Sequence, residues 1–307
     1  MMNRLQANLL LTLAAIIWGS SFVVQQIGTG ELGTITFTGA RFLVGSLVVL
    51  PFAVKQFLRV EREERKFQVS DWLGILATGS VLFTAAALQQ HGILRTTVTN
   101  SGFLTALYVP LVPVLGLIFL RRKVHFVIWP AAICCFIGTY ILSGAQEVDL
   151  VAGDLWVIAS TIFWATHVML VGILASRTRA PLVVASVQFL VSGCLGLLLG
   201  FFIESPGVDQ IAGAWWGICY IGIFSVGMAF TLQVVGQRYT PAADAAIILS
   251  SETVFAAISG MIFLGERLTP LQLSGGVLIL GSILAVELLP MTRLGRPRPL
   301  SGITQKT

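Results

Sequence analysis

Ten apolar runs, each near the length that crosses a bilayer, follow one another along this 307-residue chain with only short connectors between them. About 20 apolar residues span a hydrocarbon core roughly 30 Å thick. Lipid offers no hydrogen bonds, so each run must satisfy its own backbone and is therefore a helix. The runs cover residues 7–28, 34–57, 70–91, 96–120, 124–143, 153–175, 181–203, 211–237, 241–264 and 270–290, spans 1 to 10 below. The first is too long for a typical signal-peptide core, and no small-x-small cleavage site follows it. With 56% hydrophobic and 11% charged residues, against roughly 25% charged in globular domains, no length is left for a soluble catalytic domain. The expected class is an all-α membrane protein.

Basic residues set the orientation. Arg4, Lys55, Arg59, Arg62, Arg65, Lys66, Arg121, Arg122, Lys123, Arg177, Arg179, Arg238, Arg293, Arg296, Arg298 and Lys306 fall on one side of the spans, and only Arg95 and Arg267 on the other. Short positive loops stay in the cytoplasm, so both termini are expected there, with residues 291–307 as a basic cytoplasmic tail. The high pI, about 9.3, is then a topology signal rather than a sign of nucleic-acid binding. Glu31, Glu147, Asp149, Asp154, Glu204 and Asp209 decorate the opposite side. Cys134, Cys135, Cys194 and Cys219 lie inside apolar runs without metal-site spacing, and read as small buried residues. Trp72, Trp129, Trp156, Trp215 and Trp216 sit near span ends, as interfacial tryptophans do.

The chain also resembles itself. AAIIWGSSFVV in span 1 recurs as STIFWATHVML in span 6, aligning Trp18 with Trp164; ARFLVGS in span 2 recurs as VQFLVSG in span 7, aligning Arg41 with Gln188. WLGILATG in span 3 matches WWGICYIG in span 8, with Arg95 and Thr97 set against Arg238 and Thr240, and GLIFLRRKV after span 4 matches GMIFLGERL after span 9. The offset stays between 143 and 147 residues. Five helices per copy is an odd number, so the second copy enters the membrane from the opposite side. The expectation is ten transmembrane helices as two inverted-topology five-helix repeats, residues 1–145 and 146–290. Such repeats are a signature of secondary transporters that bind cargo near mid-membrane.

One residue resists the lipid. Glu252 lies in the middle of span 9, where a carboxylate costs about 2.5 to 3.5 kcal/mol even on lenient insertion scales. It is either a packed, hydrogen-bonded helix contact or a group that binds cargo or a proton. Helical spacing puts Trp18, Ser21 and Gln25 on one stripe of span 1, and Trp164 and His167 on one stripe of span 6. The two tryptophans are either core filler or cavity wall. Arg41 in span 2 either snorkels outward or faces Glu252, and Tyr108 sits near the centre of span 4. Pro110 and Pro113 are expected to kink that span. Span 8 adds Thr231, Gln233 and Gln237, and span 3 ends with Gln89, Gln90 and His91; those near helix ends read as solvated. GLLLG at 196–200 and Ser274, Gly275, Gly276 and Gly281 read as helix packing.

LAAIIWGSSFV in span 1, GDLWVIASTIFWA opening span 6 and AAIILSSETVFAAISGMIFLGERLTPLQLSGGVLILG across spans 9 and 10 resemble the drug/metabolite transporter superfamily, in its EamA-type ten-helix branch. That resemblance implies a bacterial inner-membrane exporter of small metabolites, often amino acids, working by alternating access without ATP. Glu-Thr-Val at 252–254 departs from the Glu-Pro-Val common in the family, which puts a proline-dependent break in span 9 in doubt. In the first repeat, basic residues 121–123 replace the acidic residue expected there, while Glu266 is retained at an outer loop.

No nucleotide-binding loop, metal-ligand pair or nucleophile elbow is written in the sequence, so neither an enzyme nor a cofactor or bound metal is expected. The expected partners are a small-molecule substrate and the lipid bilayer, without nucleic acid, and a monomer is compatible with them. The expected cargo site is Trp18, Ser21, Gln25, Arg41, Tyr108, Trp164, His167, Gln188 and Glu252, between spans 1, 2, 4, 6 and 9. Glu252 and His167 are the candidate proton carriers. Aromatic or hydrophobic amino acids are the leading cargo; hydrophobic cations or sugar-type metabolites moved by proton coupling are the alternative, and a membrane enzyme or scaffold is a third class.

Overall fold

A computed structural model describes residues 2–63, 66–96, 98–121, 125–143, 151–264 and 267–288. Arg65, Thr97, Arg122, Lys123, Glu147, Asp149, Glu266 and the tail with Arg293, Arg296, Arg298 and Lys306 lie outside the described residues. The helices are α1 (Arg4–Ile27), α2 (Thr34–Arg62), α3 (Val69–Ile93), α4 (Val98–Thr105), α5 (Tyr108–Leu120), α6 (Ile128–Leu142), α7 (Ala152–Thr178), α8 (Pro181–Ile203), α9 (Val208–Tyr220), α10 (Thr231–Gln237), α11 (Ala242–Leu249), α12 (Glu252–Leu264) and α13 (Pro270–Leu288). A π-helical stretch, Ile221–Phe230, joins α9 to α10. Spans 1–3 are α1–α3, and spans 5, 6, 7 and 10 are α6, α7, α8 and α13. Span 4 is the broken pair α4–α5, span 8 is α9–π–α10, and span 9 is the broken pair α11–α12. Among the described residues, eight spans meet the length and hydropathy of a membrane crossing, and Ile128–Leu142 and Pro270–Val286 are shorter apolar helices.

Local chemistry starts these helices where the sequence allows. Asn3 caps α1, its Oδ1 accepting from Gln6 N at 2.8 Å while Gln6 Oε1 accepts from Asn3 N at 3.0 Å, a reciprocal cap that satisfies two orphan donors. Asp71 and Asp154 do similar work at the starts of α3 and α7, accepting from Gln68 N at 2.8 Å and Val151 N at 3.1 Å. Pro181 and Pro270 open α8 and α13, where a missing N–H costs nothing. Large apolar side chains such as Leu9, Phe52, Phe201, Ile262 and Val277 point outward, as expected when the surrounding solvent is hydrocarbon.

Packing between the repeats follows a pseudo-two-fold pattern. Span 2 packs on span 7 and span 5 on span 10, each pair mapping onto itself. Span 1 packs on spans 8 and 9, and span 6 packs on the equivalent spans 3 and 4. The central pair even exchanges caps. Gln56 of α2 accepts from Leu182 N at the start of α8 (2.8 Å), and Glu204 after α8 accepts from Ile35 N and Thr36 N at the start of α2 (2.9 and 2.8 Å). Where these helices cross, a Cβ on Gly39 would lie 2.4 Å from Leu197 N, and one on Gly196 would lie 2.5 Å from the Gly39 Cα. The small residues of GLLLG thus let two backbones touch.

The π stretch has an arithmetic cause. Before it, Trp72 and Trp215 match at an offset of 143; after it, Thr96 matches Thr240 at 144, because both make the same cross-link described below. One extra residue between fixed ends widens the turn, since i→i+5 bonding takes up what i→i+4 cannot. Thr96, rather than Thr97, is therefore the counterpart of Thr240.

Burial differs from expectation at a few polar positions. Gln89, Gln90 and Gln237 are buried instead of solvated, and Gln233 is buried as well. Gln90 Nε2 donates to Thr29 Oγ1 at 2.9 Å and to Gln25 O at 3.1 Å, and Gln237 Nε2 to Val168 O at 2.9 Å, while Gln233 Oε1 has no partner. Cys135 is buried with its Sγ 2.8 Å from Ser250 Oγ, whereas Cys194 is exposed on the outside of the bundle.

Candidate functional site

Two helices break at the middle of the bundle, one per repeat. In span 4, α4 ends at Thr105 and α5 begins at Tyr108; in span 9, α11 ends at Leu249 and α12 begins at Glu252. Tyr108 and Glu252 are 144 residues apart, the offset of the surrounding repeat, so each opens the second half of its broken helix. The doubtful proline proves unnecessary to the break in span 9. Ser250 Oγ donates to Ile247 O (2.6 Å), Ser251 Oγ to Ile248 O (2.7 Å) and Thr253 Oγ1 to Ser250 O (2.9 Å). Hydroxyls thus satisfy carbonyls around the break. Tight i→i+3 bonds, Ser251 N to Ile248 O (3.2 Å) and Thr253 N to Ser250 O (3.1 Å), carry the backbone across.

The breaks meet at one central cavity. Its wall is nearly two-fold: Trp18 and Trp164, Phe22 and Val168, Ala86 and Phe230, Gln89 and Gln233, Thr105 and Leu249, Tyr108 and Glu252 all line it, and each pair is 144 or 146 residues apart. Gln25, Arg41 and Phe42 line it from the first repeat alone. The cation enters through this asymmetry, since Gln188 stands in the second repeat where Arg41 stands in the first.

Arg41 turns inward and is 4% exposed, so it does not snorkel. One guanidinium nitrogen donates to Gln25 Oε1, and the group lies 5.6 Å from the centroids of both Phe37 and Phe42. Its Nε has no partner. Glu252, 6% exposed, lines the same cavity, but among the described residues no ion pair joins it to Arg41. A buried charge normally demands a partner, and here Arg41 and Glu252 line one chamber with no ion pair between them among the described residues. Span 1 lies hard against the carboxylate's helix: a Cβ on Gly19 would fall 2.6 Å from Phe255 Cβ and 2.8 Å from Glu252 O.

Aromatic rings fill the wall between them. Phe230, absent from the sequence-based set, sits 4.5 Å from Trp18 edge-on and 5.8 Å from Trp164 in stacked geometry. Trp18 Nε1 donates to Ser225 O in the π stretch at 3.3 Å, while Trp164 Nε1 has no partner. Tyr108 Oη makes a long 3.4 Å bond to Ala246 O. Gln89 also reaches the wall, donating from Nε2 to Thr105 Oγ1 at 2.9 Å. Phe230, Gln89 and Gln233 escape the motif spacing, since an offset of 143 in spans 3 and 8 pairs Gln233 with Gln90 and only the π stretch shifts it by one.

Of the sequence-derived set, Trp18, Gln25, Arg41, Tyr108, Trp164 and Glu252 converge on the cavity, and Ser21, His167 and Gln188 stand outside its wall. Ser21 donates to Ile17 O within its own helix at 2.7 Å. His167 is fully buried, with Nε2 3.0 Å from Gln188 Oε1 and its ring edge-on to Trp164 and Phe230. Among the described residues no His, Cys, Asp and Glu gather into a metal-binding group.

The sequence model described as the EamA-like transporter family matches residues 5–144 and again 151–288. An uncharacterized transporter of Archaeoglobus fulgidus is 30% identical over 293 residues, 93% of this chain and 87% of that protein. The threonine/homoserine exporter RhtA of Escherichia coli K12 is 28% identical over 300 residues, 91% of this chain and 88% of that one. A solved crystal structure superposes with a TM-score of 0.75 at 18% identity, covering 92% of this chain and 97% of its own, a likeness of fold.

Proposed function

This chain belongs to the EamA-like transporter family, and we propose that it exports amino acids, those with hydrophobic or aromatic side chains foremost, from a bacterial cytoplasm by alternating access. The observation that carries this reading is the separation of Arg41 from Glu252 within one aromatic cavity. A zwitterion completes both: its carboxylate faces the guanidinium held by Gln25, its ammonium faces Glu252, and its side chain lies against Trp18, Trp164 and Phe230. Charge-assisted hydrogen bonds of this kind contribute about 1.5–3 kcal/mol each. Gln25 acts by holding the guanidinium in place; Ser21, His167 and Gln188 act behind the wall. The name of the RhtA relatives supports the amino-acid class. In this reading the bundle end carrying Arg4, Arg59 and Arg177 faces the cytoplasm of the inner membrane, with both termini on that side.

Proteoliposome uptake of labelled Phe, Leu, Thr and Lys tests the cargo. Uptake of neutral amino acids, lost in Glu252→Gln, is expected; transport of none, or undiminished transport by Glu252→Gln, overturns the reading.

A second reading concerns coupling. Glu252 has no partner among the described residues, so its carboxylate is free to take up a proton when cargo leaves. Cargo addition then changes the pH inside vesicles in step with transport, and a facilitative carrier leaves that pH unchanged.

A further inference from the structure

A second cavity opens at the basic end of the bundle, lined by Arg4, Val112, Met169, Gln237, Ala243 and Asp244 among others. It is separated from the central cavity by a thin apolar layer. Tyr108 faces the central cavity and Val112, four residues on, faces the vestibule; Val168 and Met169 divide in the same way. Four residues of helix rise only about 6 Å. Between the two spaces lie Val109, Ala165, Ala246 and Ile247, all essentially buried.

α11 forms part of this layer. It is eight residues long, bounded by Pro241 on one side and by the Ser250–Ser251 break on the other. It contributes Ala243 and Asp244 to the vestibule and Leu249 to the central cavity. Its vestibule end is tied to span 1, across the repeat boundary, by an Arg4–Asp244 ion pair and by a 2.8 Å hydrogen bond from Thr240 Oγ1 to Asn8 Oδ1. The pseudo-two-fold repeats half of this arrangement at the other end of the bundle. Thr96 Oγ1 donates to Asp154 Oδ1 at 2.5 Å just before α4; Thr96 and Thr240 are 144 residues apart, Asn8 and Asp154 146. Each broken helix is therefore pinned near its free end to the first span of the opposite repeat. Among the described residues the ion pair is found at the basic end alone; in the sequence Leu150 and Asn100 stand where the repeat offset matches Arg4 and Asp244.

We propose that the vestibule is the entrance through which cargo reaches the central site, and that α11 is its gate, latched shut by Arg4–Asp244 and Asn8–Thr240. Release of the latch lets α11 swing about Ser250–Ser251 and removes the layer one turn thick. The proposal rests on the fold and not on the identity of the cargo.

The test needs no cargo and no defined membrane orientation. A cysteine placed at Ala246, inside the layer, is titrated with a charged thiol reagent in purified protein, with labelling of the parent's own cysteines subtracted. Asp244→Asn is expected to raise the labelling rate at least fivefold, and the charge-reversed pair Arg4→Asp with Asp244→Arg to return it towards the parent value. An unchanged rate in Asp244→Asn, or no recovery in the reversed pair, overturns the proposal. A cysteine at Ile75, buried in the separate core around α3, α7 and α8, is the second measurement. If Asp244→Asn raises labelling there equally, the ion pair holds the whole fold rather than a gate, and the proposal falls. If the wild-type pair gates entry but no amino acid is transported, only the cargo reading fails.

Discussion

Span 4 and span 9 bend at equivalent points of the two repeats, yet by different chemistry and to different ends. Span 4 has two prolines, Pro110 and Pro113, within the first two turns after its break. Span 9 has none between Pro241 and Pro270, and breaks through the Ser250, Ser251 and Thr253 hydroxyls instead. At the first residue past the break, span 4 places a phenol and span 9 a carboxylate. Helix discontinuity is thus common to both copies, and what it presents to the cavity is particular to each. Duplication supplied a nearly symmetric chamber; single residues, Arg41 and Glu252, made its two halves differ.

The sharpest way to break that asymmetry is Glu252→Gln, which keeps shape and removes charge. Transport should fall about 10- to 100-fold, following a charge-assisted bond of about 1.5–3 kcal/mol, while the thermal midpoint in detergent stays near the parent's. Next comes Arg41→Gln, which gives span 2 the residue that span 7 carries as Gln188. Loss of about tenfold is expected for amino acids and a smaller loss for the corresponding amines, because the lost partner reads the carboxylate; competition assays with amino acid and amine pairs separate the two.

The paired change Ser250→Ala with Ser251→Ala tests whether hydroxyls hold the break. Each lost bond is worth about 1 kcal/mol net, so a thermal midpoint lower by a few degrees and a transport rate lower by a few fold are expected. The smallest effects belong to Thr253→Pro and Tyr108→Phe. Proline in the first turn of α12 forfeits one backbone bond, Thr253 N to Ser250 O, at a position where the helix tolerates it. Tyr108→Phe forfeits only a long 3.4 Å contact. Transport within about twofold of the parent is expected for both, and a tenfold loss in Tyr108→Phe would show that the phenol touches cargo.

Much of this was legible in the chain itself. The apolar runs gave ten helices because lipid leaves the backbone no other option, and the recurring segments gave two copies because aligned motifs survive at a steady spacing. The same spacing, extended by hand, leads from Tyr108 to Glu252. Gln89 and Gln90 were misjudged because proximity to a span end says nothing about a neighbouring helix covering that end. The break in span 9 is not legible in the sequence, because proline is a visible helix breaker, whereas a serine turns against its own backbone only when the surrounding packing rewards it.

What the sequence determined, then, is set by solvent and chain length: helices, their number, their duplication and the cost of a carboxylate among them. What only the tertiary structure decided is adjacency. Arg41 facing inward beside Gln25 without touching Glu252, Phe230 between two tryptophans, and α11 tied to span 1 all depend on how helices far apart in sequence cross. Those crossings are fixed by close contacts such as Gly39 on Gly196, whose partners no local pattern names.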